Sequence, residues 1–182
     1  MDKLNYTIFN LINSSAGGNE FLDIFMITLA IVLPYCFGII LLYVFFRKDN
    51  PLKEEVLFAV YVLITGFIFS RFIDLFLYHP RPFMVLMGHQ LIPHSAENSF
   101  PSSHMLFYVS LSFGLLRYKQ SRNLGCLLLF FSLPGGLARV YCGVHFPMDI
   151  LGAVIVAALS VYPAYILFEK TKRVLPDSFR SF

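Results

Sequence analysis

From Phe21 to Phe46 the chain runs almost without a charge, and this stretch limits the possible fold more than any other. At ~1.5 Å rise per residue, a helix over it crosses a ~30 Å hydrocarbon core even with Pro34 inside. Four more apolar segments follow, at Val56–Tyr78, Ser102–Leu116, about Leu124–Val140 and about Pro147–Phe168. With 57% hydrophobic and only 14% charged residues, the chain has too little polar surface to cover a water-soluble globule. The expected fold class is therefore all-α, a polytopic membrane helix bundle with about five spans, and residues 1–182 read as a single integral membrane domain. Leu4, Ile8, Leu11 and Ile12 recur at helical spacing before the breaker Asn13-Ser14-Ser15-Ala16-Gly17-Gly18, which predicts a short N-terminal interfacial helix.

The charges lie between these segments. Arg47, Lys48 and Lys53 fall in the first turn, Arg117, Lys119 and Arg122 in the third, and Lys170, Lys172, Arg173 and Arg180 in the tail. With five spans all three regions share one side, which the positive-inside rule makes cytoplasmic. The same clustering argues that the net charge of +3 marks topology and not nucleic-acid binding. Met1 to Gly18 lacks the apolar core of a cleavable signal, so the first span is expected to direct insertion. Cys36, Cys126 and Cys142 are odd in number, lie in or beside apolar segments and read as buried small hydrophobes. Pro134-Gly135-Gly136 predicts a bend in the fourth span.

Chemistry-bearing residues collect at the opposite ends of the spans. His145 and Asp149 are four apart, a spacing that on a helix stacks them on one face, so that the carboxylate accepts one ring proton and leaves the other nitrogen a lone pair. That is how an imidazole becomes a nucleophile. Arg81 and Arg139 offer forked donors for a tetrahedral anion. Ser102 and Ser103 open a helix after Pro101, where free backbone N–H groups favour an anion, and His104 in that first turn is placed to protonate a leaving oxygen. Phosphoryl transfer by positioning and charge neutralisation is the chemistry this set suits.

These blocks resemble the type 2 phosphatidic acid phosphatase superfamily. Its pattern is a basic residue, six positions, Arg-Pro; then Pro-Ser-Gly-His; then Ser-Arg, five positions, His, three positions, Asp. The matches are Arg81-Pro82, Pro101-Ser102-Ser103-His104, and Ala138-Arg139 through His145 to Asp149. The resemblance implies that His145 forms a phosphohistidine, that Asp149 orients it, that His104 is the general acid, and that Arg81, Arg139, Ser102 and Ser103 hold phosphate. It implies no cofactor and no metal. Leu91 to Phe100, with the short chain, is similar to the bacitracin-resistance branch of bacterial undecaprenyl-diphosphatases, whose members act on undecaprenyl diphosphate outside the cytoplasmic membrane, recycling the lipid carrier for cell-wall synthesis.

Three departures from the pattern stand out. Asp74 occupies the position of the family lysine; Arg71, one turn deeper, either replaces the missing cation as a phosphate ligand or pairs with Asp74, and both readings stay open. Ser103 stands for glycine and Ala138 for serine. The expected partners are a polyprenyl or phospholipid phosphate substrate and membrane lipids, with no nucleic acid. Lipid A, phosphatidylglycerophosphate and phosphatidate are competing substrates, and a non-hydrolytic transporter or scaffold is the reading of a different class. His79, His89 and His94 lie outside the motifs and read as loop residues; Tyr108 and Tyr141 read as packing or interfacial aromatics and not as ligands.

Overall fold

In the computed structural model, residues 2–48 and 51–174 are described. Among them are six α-helices: α1 (Asp2–Asn13), α2 (Glu20–Phe46), α3 (Lys53–Asp74), α4 (Ser103–Leu116), α5 (Arg122–Tyr141) and α6 (Pro147–Val174), with one 3-10 turn at Pro82–Val85. The Asn19 side chain caps α2 by accepting from the Leu22 N–H at 3.0 Å. Ser102 caps α4 in the same way, at 3.5 Å from the Met105 nitrogen. Helix α5 gives way to Cys142 and Gly143, where φ of +73° turns the chain; a Cβ there would stand 2.3 Å from the His89 carbonyl oxygen.

Four helices, α2, α3, α5 and α6, are long and apolar enough to cross a bilayer. The fifth expected span is the apolar helix α4, but its 14 residues reach only ~21 Å. The reason lies in its position. Helix α4 packs against α3, α5 and α6, and its Leu106, Tyr108, Val109 and Leu115 are fully buried, so the lipid-facing helices and not α4 need to match the bilayer. Gly114 permits the closest approach: a Cβ there would sit 2.4 Å from the Ala59 Cα of α3. Phe37, Leu41, Leu111, Leu128 and Ala157 complete this core from four helices.

One expectation needs correction. Cys36 and Cys126 are exposed on the outer faces of α2 and α5, and only Cys142 is buried, because segments apolar all round carry no signal for the face that meets the bundle. Helix α5 runs on through Pro134, where Gly135 and Gly136 also serve packing, with the Tyr108 ring and Met105 seated where their side chains would be.

The basic turns gather at one end of the bundle. Lys172 pairs with Glu54, and the Arg117 guanidinium lies 4.8 Å from the Tyr165 ring centroid. Arg180 lies outside the described residues. At the other end, α1 exposes Leu4 and Leu11 and turns Asn5, Phe9 and Asn13 inward. Asn13, 1% exposed, donates to the His89 carbonyl at 2.9 Å and the Tyr141 carbonyl at 2.7 Å, and accepts from the His89 N–H at 2.7 Å. It thus clips the long 79–102 connection to the end of α5. Asn13→Ala leaves these buried groups without partners and is expected to lower unfolding free energy in detergent by about 2–4 kcal/mol, against under about 0.5 for the exposed Ser14→Ala. Denaturant titration followed by circular dichroism measures both.

Candidate active site

Four chain segments converge at the α1 end of the bundle: the last turn of α5, the Cys142–Phe146 reversal, the first turn of α6, and the 79–102 connection with the start of α4. His145 is 1% exposed and lies in the reversal, before α6 begins, not on the helix that its spacing from Asp149 suggested. Its Nδ1 is 3.2 Å from the Ser99 hydroxyl and 3.5 Å from Asp149 Oδ2, the longer and weaker of the two contacts. The other ring nitrogen, Nε2, is 3.2 Å from Arg81 Nη1.

Asp149 is fully buried and its carboxylate is richly served. His79 Nδ1 lies 2.9 Å from Oδ1, while the Ser99 hydroxyl and the Phe146 N–H, the latter at 2.7 Å, donate to Oδ2. The Asp149 carbonyl accepts from the Ser102 N–H at 3.1 Å, joining the starts of α4 and α6. Between them the Phe100 ring presses on Gly152, where a Cβ would fall 2.0 Å from ring carbon Cε2. Ser102 is fully buried, with its amide and hydroxyl already engaged; Ser103 is exposed.

Arg81 follows the same logic of a held cation. Its Nη1 donates to the Val144 carbonyl at 2.9 Å and its Nη2 to the Asn98 carbonyl at 3.2 Å, while Nε has no acceptor among the described residues. Arg139, 3% exposed, has neither Nε nor Nη2 paired among the described residues. Three buried guanidinium nitrogens without acceptors are costly unless a ligand completes them, and the ligand that fits them is an anion. His104 sits in the first turn of α4, within electrostatic reach of Arg139 and His145. His94 stacks edge-on to His145, ring centroids 6.2 Å apart. Burial lowers the affinity of His94 for a proton, and Arg81 and Arg139 lower it further. His145 is held down to about 4, chiefly by burial; Asp149 opposes this, and Arg81 and Arg139 add to it. Burial also lowers Arg81, against the pull of Asp149 and Glu97.

The structure thus brings Arg81, Ser102, His104, Arg139, His145 and Asp149 together. Arg71 does not join them: its side chain is 82% exposed and pairs with Asp74 at 3.3 Å. Asp74 in turn accepts from Asn98 Nδ2 at 2.7 Å, and Asn98 also donates to the Leu77 carbonyl and accepts from the His79 N–H. The acid at the lysine position therefore supports the loop that holds Arg81. Three residues of the site lie outside the motifs: His79, which the sequence marks only as a loop residue, and Asn98 and Ser99, which it does not mark. They lie on an irregular connection with no periodicity to say which way a side chain turns, although the even spacing of His79 and Arg81 about Pro80 was visible.

The family model for the PAP2 superfamily matches residues 55–173, from α3 to the end of α6. The chain belongs to the PAP2 superfamily. It is a multi-pass membrane phosphatase of that superfamily, similar over 86% of its length, at 33% identity, to "Undecaprenyl-diphosphatase BcrC" of Bacillus subtilis (strain 168), of which 80% is covered. A second relative, the "Bacitracin transport permease protein BcrC" of Bacillus licheniformis, is 24% identical over 98% of this chain and 95% of its own. Among solved structures, LpxE of Aquifex aeolicus superposes with a TM-score of 0.72 at 23% identity, over 89% of this chain and 94% of the other, and so shares the PAP2 fold.

The Asp74–Asn98 link sets a prediction that runs against the family pattern. Asp74→Lys restores the PAP2 cation but removes the acceptor for Asn98, and is expected to cut phosphatase turnover by about tenfold or more, whereas Asp74→Asn keeps an acceptor and stays within about threefold. Phosphate release by the two purified variants decides the matter.

Proposed function

We propose that this chain hydrolyses undecaprenyl diphosphate to undecaprenyl phosphate on the extracytoplasmic face of the bacterial cytoplasmic membrane, through a phosphohistidine at His145. The observation that carries the reading is the set of unpaired guanidinium nitrogens of Arg81 and Arg139 near a buried imidazole whose Nε2 faces Arg81. In this mechanism the Nε2 lone pair attacks the terminal phosphorus and forms the N–P bond. The bond from phosphorus to the bridging oxygen breaks, and His104 gives that oxygen its proton. A water then loses a proton to His104 and attacks the phosphohistidine, releasing inorganic phosphate and restoring Nε2. Arg81 and Arg139 hold the equatorial oxygens, with the first-turn amides of α4 at Ser103 and His104 beside them, Ser102 capping that turn, and Asp149 orienting the nucleophile.

Similarity to the Bacillus subtilis undecaprenyl-diphosphatase supports the choice of head group and tail. The basic turns at the end of the bundle away from the site support the orientation, by charge bias. The name of the Bacillus licheniformis relative keeps a transport reading as the alternative. Against it stands the buried imidazole whose Nε2 faces the Arg81 guanidinium, an arrangement that transport of an anion does not need.

Purified protein in detergent is expected to release phosphate faster from undecaprenyl diphosphate than from undecaprenyl monophosphate, phosphatidate, phosphatidylglycerophosphate or lipid A. His145→Ala should abolish the release, and vanadate should inhibit it. Preference for another lipid would keep the mechanism and replace the substrate; no vanadate-sensitive release from any would favour transport.

The pH profile supplies a second test. His145 reacts through its neutral form, so the rate falls as pH drops through its value in the free enzyme, about 4, in place of the ordinary imidazole value. The acid limb of kcat/KM that belongs to His145 is thus expected well below pH 6.5. Arg81 opposes protonation of that ring, so Arg81→Gln should move the limb upward as well as raise KM. An acid limb for His145 near 6.5 that Arg81→Gln leaves in place would refute this account of its electrostatics.

A further inference from the structure

We propose that Ser99 is a positioning residue that bridges His145 to Asp149 and fixes the ring tautomer of His145, a role that rests on the phosphohistidine reading above. Proton counting on the observed contacts leads there. Asp149 Oδ2 is a carboxylate oxygen and only accepts, so the Ser99 hydroxyl, which is in contact with it, spends its single proton on Asp149. Ser99 Oγ can then act toward His145 Nδ1, 3.2 Å away, only as an acceptor. Nδ1 therefore carries the ring proton and Nε2 is left with its lone pair, on the side where Arg81 stands. Asp149 Oδ2 is farther from Nδ1, at 3.5 Å, so Ser99 is the closer of its two acceptors.

The surroundings hold Ser99 in that place. It is fully buried, and its N–H donates to the His79 carbonyl at 2.8 Å. The His79 ring in turn occupies Asp149 Oδ1, and the Phe146 N–H shares Oδ2, so the carboxylate cannot rotate without giving up three donors. Asn98 on one side of Ser99 is anchored to Asp74, and Phe100 on the other is seated on Gly152. During the reaction the Nε2–P bond forms from the lone pair, no proton leaves Nδ1, and the positive charge that grows on the ring is met by the Ser99 oxygen and, behind it, by Asp149.

Ser99→Ala removes one oxygen and keeps the backbone. Expected are a kcat about a hundredfold lower with KM within about threefold, and recovery of at least tenfold in Ser99→Thr, which keeps the hydroxyl. Nitrogen-15 NMR of histidine-labelled protein reads the tautomer independently of turnover: a single Nδ1–H form of His145 in the wild type, and loss of that uniformity in Ser99→Ala. The proposal is overturned if Ser99→Ala keeps kcat within threefold, with Asp149 closing directly on the ring, or if the wild type carries its proton on Nε2. Absence of phosphate release by the wild type would count against the proposed function alone, since the tautomer still judges Ser99; a Ser99→Ala protein that fails to fold leaves the wild-type spectrum to decide.

Discussion

The arrangement depends first on a carboxylate that has been taken out of water. Asp149 is fully buried at the start of α6, and an ionised group in such a place persists only when donors surround it. Here the donors come from separate parts of the chain: His79 and Ser99 from the long connection, Phe146 from the reversal before α6. The desolvation of one charge therefore dictates how the connection, the reversal and two helix starts meet. Asp149 is as much a fastener as a member of the site.

The opposite side of His145 is built on the reverse principle. Around Nε2 the polar groups are cations, and several of their nitrogens have nothing to bond among the described residues. Arg81 is anchored through two backbone carbonyls, which leaves Nε free, while Arg139 is held by its position in the last turn of α5. A site saturated behind the imidazole and unsatisfied in front of it is pre-organised for an anion, since the donors need not be reoriented when one arrives. Burial and the two guanidiniums also keep the imidazole neutral, as the proposed nucleophile requires.

Helix α1 lies outside the matched family region, yet it braces the site. Its Phe9 and Tyr6 rings lie 5.1 and 5.3 Å from Phe146, next to His145, and Asn5 accepts from the Met148 N–H. With Leu4 and Leu11 turned outward, the same short helix touches the loop of His145 on one face and offers apolar side chains on the other. Asp74 shows a similar economy: a position where the family carries a cation has become a support for Asn98 and, through its carbonyl, for Arg81.

The helices were legible in the sequence because a bilayer demands long apolar runs, and α2, α5 and α6 fall within a few residues of the runs that predicted them. The block spacing also marked Arg81, His104, Arg139, His145 and Asp149, since charged and imidazole groups at the ends of apolar segments are too costly to be idle. What the sequence by itself determined was thus the class of fold and the cast of polar residues. Only the tertiary structure decided which of them meet. That Ser99 stands between His145 and Asp149, that His79 takes the second carboxylate oxygen, that Arg71 turns away to Asp74, and that α4 lies sheathed at the centre all depend on how irregular chain folds over helix ends. Periodicity is silent there, and the satisfaction of buried polar groups by distant partners chooses the outcome.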